Sequence, residues 1–151
     1  MRKISLFASA LIAGALIFNG ALFSSGVHAA EDSLKVRKEG FEATKKSFGA
    51  IKKILEDGGD LSGPAASAQS INAFAKQVPT LFPAGSDKGE TKAKAAIWSN
   101  EADFGVKAQA FEAESAKLVQ AVASGDKAAV QKQFGAVGGT CKGCHDTFRS
   151  E

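Results

Sequence analysis

Leu34, Phe41, Phe48 and Leu55 stand seven residues apart, with Thr44 and Ile51 three residues after the middle pair. Steps of three and four put all six on one face of a helix, and so apolar a face must be covered by another element. The spacing returns in Phe104, Phe111 and Leu118, with Ala108, Ser115 and Val122 between them. It returns again in Val130, Val137 and Cys144, interleaved with Phe134, Cys141 and Phe148. Capping residues give the limits. The first helix is predicted from Asp32 or Ser33 to Gly58-Gly59, where glycine can take the left-handed conformation. A shorter second helix starts at Pro64, buries Ile71, Phe74 and Val78, and ends before Pro79. The third runs from Ser99 or Asn100 to Gly125, and the fourth starts at Asp126. Residues 78–98 read as one long connection, broken by Pro79, Pro83, Gly85 and Gly89, and loops of that length are commonly functional. No alternating strand pattern occurs. The prediction is an all-α fold, an antiparallel four-helix bundle with one long crossover.

The first thirty residues belong to a different pattern. Arg2 and Lys3 precede an apolar run from Leu6 to Phe18, and Val27-His28-Ala29 or His28-Ala29-Ala30 offers small residues at a cut. These are the marks of a cleaved secretory signal, predicted over residues 1–30 with 31–151 as the mature domain. An uncleaved anchor over residues 4–23 is the competing reading. Residues 31–151 hold 17 basic and 16 acidic side chains; neither a strong charge nor a basic stripe points to nucleic acid. With the signal go Met1 and His28, the only methionine and one of two histidines, and the chain has no tyrosine.

The fourth stripe contains both cysteines of the chain and, next to the second, the remaining histidine: Cys141-Lys142-Gly143-Cys144-His145. C-x-x-C-H is the attachment sequence of c-type haem, where each thiol adds across a vinyl group and the imidazole takes an axial iron position. In a helix the three residues lie within about one turn, so all can reach one macrocycle. The expectation is one covalent haem c near the C-terminus, with Cys141 and Cys144 as attachment points and His145 as iron ligand. Thiol–disulfide chemistry fits less well because the βαβ pattern that usually hosts it is missing. Structural zinc would need a fourth ligand.

The other side of the iron follows by elimination. No mature methionine or second histidine is left, and the lysines fall at surface positions of the pattern. A five-coordinate iron inside an apolar bundle is therefore expected, suited to a small neutral gas; periplasmic electron transfer is the alternative. Peroxidase or nitric oxide reductase chemistry lacks a distal histidine to move protons, so a non-enzymatic role is expected.

These residues resemble the cytochrome c′ proteins of the class II cytochromes c, themselves a standard example of the four-helix bundle. The likeness covers the mature chain. It rests on the C-terminal haem motif, Arg37 four residues before Phe41, Phe48-Gly49, Ile97-Trp98-Ser99, and the stretch from Val137-Gly138 to Arg149. The resemblance implies a homodimeric periplasmic protein with a high-spin haem that binds nitric oxide and often carbon monoxide, with a redox partner protein as a further possibility. By position it implies that Arg37 meets a haem propionate, Phe41 shields the open face, and Arg149 stands near the proximal face. It further implies that Lys38, Glu90, Thr91 and Trp98 line the haem edge. Low-spin relatives carry methionine at the position of Phe41. Gly138 is expected where another element approaches closely; alternatively the fourth helix breaks at Gly138-Gly139.

Overall fold

The computed structural model describes residues 24–151. Four long helices, α1 (Ser24–Asp57), α2 (Ala65–Ala75), α4 (Glu101–Ser124) and α5 (Lys127–Phe148), form the expected four-helix bundle, with a short α3 (Ala96–Ser99) in the crossover. Among the described residues there is no strand and no helix long and apolar enough to cross a membrane. The predicted stripes line the core: Ile51, Ile71, Leu118, Val130 and Val137 are fully buried, and Phe104 and Phe111 nearly so.

Most of the expected helix limits are found. Gly58 and Gly125 adopt positive φ where α1 and α4 stop, which an L side chain does at a cost. The Asp126 carboxylate caps α5 by accepting from the Ala128 and Ala129 amides at 2.8 and 3.2 Å, satisfying donors that the first turn leaves free. α2 begins one residue after Pro64, whose carbonyl accepts from Ala68 N. α5 is continuous through Gly138-Gly139, so the fourth helix does not break there.

Two expectations change. α1 is already helical at Ser24, the first described residue, upstream of Asp32 and Ser33; Ala29, Ala30 and Glu31 are strong helix formers, and the helix runs back through them. The signal reading of residues 1–30 otherwise falls on residues 1–23, outside the described ones. The crossover is also more ordered than a bare loop. A 3₁₀ turn over Val78–Leu81 buries Val78 and Leu81, and α3 buries Ile97. The Trp98 indole then donates to the Phe82 and Pro83 carbonyls at 3.0 and 3.1 Å.

Helix contacts explain which glycines matter. A Cβ at Gly40 on α1 would overlap the Phe74 ring of α2, a Cβ at Gly138 would meet Phe48 at 3.5 Å, and one at Gly139 would meet nothing. Gly40→Ala should therefore lose about 1–3 kcal/mol to overpacking, while Gly139→Ala should gain about 0.5–1 kcal/mol from helix propensity. Urea denaturation midpoints of the two variants should move in opposite directions.

Candidate haem site

α5 runs against α4 along its length but touches α1 sparsely. One contact level is set where Phe48 stacks on Phe134, ring centroids 3.9 Å apart, beside Gly138. Neighbouring helices alternate in direction, so α1 and α5 are antiparallel. At 1.5 Å per residue, seven residues back along α1 lead from Phe48 to Phe41, and seven forward along α5 lead from Gly138 to His145. Eleven residues lead to Arg37 and Arg149. The far level has an independent check: Arg37 bonds Thr91, and Ala93, two residues on, bridges to Arg149.

Cys141 and Cys144 lie on α5 between these levels. Both are half-buried and free, with no bond between them. Burial pushes both thiols upward in pKa; at Cys144 the nearby Lys107 opposes this, while Cys141 and Asp103 add to it. Raised thiols are the reverse of what a reactive C-x-x-C redox pair needs. No cluster of three or more His, Cys, Asp or Glu side chains that could hold a metal ion exists among the described residues. His145 is exposed, yet enough protein surrounds its ring to hold the imidazole below its usual pKa. Arg149 lowers it further and Asp146 opposes. Two protonated thiols and a neutral imidazole within a turn are the donor set that haem attachment calls for.

Arg37 is 4% exposed. Its Nη1 donates to the Leu81 carbonyl at 3.2 Å and Ser86 Oγ at 3.3 Å, and its Nη2 to the Ser86 carbonyl at 3.0 Å and Thr91 Oγ1 at 3.1 Å. Its guanidinium lies 4.4 Å over the Phe82 ring. Burial lowers its pKa, but a guanidinium keeps its proton in proteins. All four Nη protons are thus committed to neutral oxygens of the crossover, leaving the Nε proton. Arg37 has no ion pair with a described residue. Around it Lys38 pairs with Glu90 at 3.8 Å on the surface, a contact worth little by itself. Phe41 is half-buried, its ring edge-on to Phe74 at 4.9 Å.

The sequence-predicted residues thus fall into two groups. Arg37 and Lys38 on α1 meet Thr91 and Glu90 of the crossover, while Cys141, Cys144 and His145 follow one another on α5. Arg149 is exposed and its amide closes the last turn on the His145 carbonyl at 3.1 Å. Trp98 holds the crossover rather than standing free. Sequence reasoning missed Phe82, Ser86, Asp103 and Lys107. The crossover grips the end of α5 through Lys94 N to Phe148 O at 2.9 Å and Ser150 N to Lys92 O at 2.8 Å. An aromatic chain joins the same parts: Phe82 to Phe104 at 4.8 Å and Phe104 to Phe148 at 5.4 Å.

A family model described as Cytochrome C′ matches residues 32–149. The cytochrome c′ of Pararhodospirillum photometricum is 39% identical over 123 residues, spanning 79% of this chain and 97% of that one. The crystal structure of cytochrome c′ from Thermochromatium tepidum superposes with a TM-score of 0.78 at 29% identity, covering 81% of this chain and 97% of its own. A cytochrome c′ described for unusual ligand-controlled dimer dissociation superposes at 0.77 with 31% identity, over 81% and 97% of the two chains. Two leucine variants of the cytochrome c prime from Alcaligenes xylosoxidans, one solved as a nitric oxide complex and one with carbon monoxide bound, superpose at 0.74 with 29% identity. Both cover 81% of this chain, with 96% of the nitric oxide complex's own chain and 97% of the carbon monoxide complex's.

Arg37→Ala strands several buried acceptors of the crossover. Since a hydrogen bond to a charged group contributes about 1.5–3 kcal/mol, the variant should lose at least about 2 kcal/mol in chemical denaturation. Protease cleavage within residues 82–92 should also become faster than in the unaltered protein.

Proposed function

This chain belongs to the cytochrome c′ family, and from that premise we propose that it is an exported c-type haem protein whose five-coordinate, high-spin iron captures nitric oxide and also takes carbon monoxide. One observation carries the reading. Two free, half-buried thiols one turn apart, with a neutral-leaning imidazole beside the second, sit in a bundle whose solved relatives include nitric oxide and carbon monoxide complexes. The signal over residues 1–30 is removed, residues 31–151 work in the periplasm with one haem c per subunit, and two copies pair as a homodimer. The role is binding rather than turnover.

When bound, the haem would supply an iron able to take a small gaseous ligand. Cys141 and Cys144 would hold it covalently, and His145 would offer its imidazole nitrogen to the iron. The pressure of the surrounding protein and Arg149 against protonation keeps that nitrogen free at neutral pH. Phe41, level with His145 along the bundle, shields the opposite side and excludes water from it. The buried Arg37 cation still has its Nε proton for a propionate, which would give it the counter-charge it lacks among the described residues. Lys38, Glu90 and Thr91 border the same edge. Arg149 stands beside the histidine, where a cation at a helix C-terminus is also favourable.

Optical spectra of the purified ferric and ferrous protein, taken before and after nitric oxide, test this reading. High-spin bands that change with the gas support it. Low-spin bands in both oxidation states would put periplasmic electron transfer first, and a colourless protein would sink the haem reading. Phe41→Ala should accelerate carbon monoxide binding to the ferrous iron about tenfold, the effect of removing about 1.4 kcal/mol of steric cost. Flash photolysis measures the rate, and an unchanged value would take the shielding role from Phe41.

A further inference from the structure

Thr44 lies on α1 three residues after Phe41 and four before Phe48, on the inward face they share. It is 9% exposed, and its Oγ1 is buried without a hydrogen-bond partner. A helical threonine ordinarily bonds a carbonyl one turn back; Thr44 does not. The other buried hydroxyls among the described residues are satisfied. Ser86 Oγ accepts from Arg37, while Ser115 Oγ accepts from Asn72 and donates to the Glu112 carbonyl. Valine would fill the position of Thr44 with nearly the same shape and no desolvated hydroxyl, so a buried donor kept without a partner requires an explanation.

Its place in the bundle supplies one. Phe48 is level with Gly138 and Phe41 with His145, so Thr44 falls level with Lys142, between the two cysteines. Arg37, which the haem carboxylates would meet, is seven residues away, about 10 Å along the helix, too far for those carboxylates to satisfy the hydroxyl. The polar partner left at this level is a ligand on the side of the haem that Phe41 covers.

We propose that the Thr44 hydroxyl donates a hydrogen bond to a diatomic ligand held there, so that this chain favours ligands whose outer atom accepts such a bond. The inference rests on the haem and gas reading above. Its observable is vibrational, because a donor at the outer oxygen draws electron density toward it and lowers the carbon–oxygen stretching frequency.

The test uses the holoprotein as its ferrous carbon monoxide complex, with Thr44→Val and Thr44→Ser alongside. Infrared spectra should show the carbon–oxygen stretch at higher wavenumber in Thr44→Val and restored in Thr44→Ser. Carbon monoxide should leave Thr44→Val about two- to tenfold faster, the range that a net hydrogen bond of about 0.5–1.5 kcal/mol spans. The gas-free ferrous Thr44→Val protein should meanwhile resist denaturant better than the unaltered one. A gain in stability with no change in stretch or release would overturn the assignment and leave Thr44 a packing residue. Failure of the unaltered protein to form any carbon monoxide complex would instead overturn the gas-binding reading, and this inference with it.

Discussion

A single buried guanidinium holds the working end of this bundle together. Arg37 reaches from α1 into the crossover, satisfies oxygens on Leu81, Ser86 and Thr91, and rests on the face of Phe82. A charge removed from water tolerates such a place only when its protons are bonded. The bonded oxygens are two backbone carbonyls and two hydroxyls, so the segment must curl in one particular way to present them. The path of residues 81–91 is therefore set by Arg37 at least as much as by its own glycines and prolines.

The curl has a consequence on the other side of the bundle. Held there, the crossover continues through residues 92–94 and pairs with residues 148–150, at the exit of the helix that bears the cysteines and His145. Phe82, Phe104 and Phe148 pack edge to face beneath this junction. α1 and α5, which touch little directly, are thus registered twice: by Phe48 on Phe134 at one level and through the crossover at the other. Between the two levels lie Phe41, Thr44 and the two thiols.

Period alone made the bundle legible. Stripes seven residues apart gave the core of α1, α4 and α5, and Gly58, Gly125 and Asp126 marked their ends through backbone chemistry that is local and therefore visible in sequence. The attachment motif was legible for the same reason, being contiguous. What stayed hidden was tertiary. The bonds of Arg37 end mostly on backbone oxygens or small hydroxyls whose identity no pattern announces, so Ser86 and the buried turn at Val78–Leu81 carried no signal. The start of α1 was misplaced because Asp32 and Ser33 can cap a helix but sit equally well inside one. Gly138 meets Phe48 only at ordinary van der Waals distance, and the real steric constraint, at Gly40 against Phe74, was missed, since nothing in sequence says which glycine faces a ring.

Thr44 shows how a core position can be read too simply. In the stripe it counts as one more inward residue, and its methyl group serves that purpose. Its hydroxyl does not, and neither do the lone cation of Arg37 or the two free thiols; each costs desolvation that valine, leucine or alanine would avoid. Scattered through a protein, such groups would be unrelated imperfections. Here all of them stand on α1 and α5, neighbouring long helices that pack sparsely against each other among the described residues. The fold is otherwise consistent from stripe to cap to core, and departures from such consistency are expected where a site has been built at the expense of packing. That concentration ties the sequence motif on α5 to residues on α1 with which it shares no local pattern.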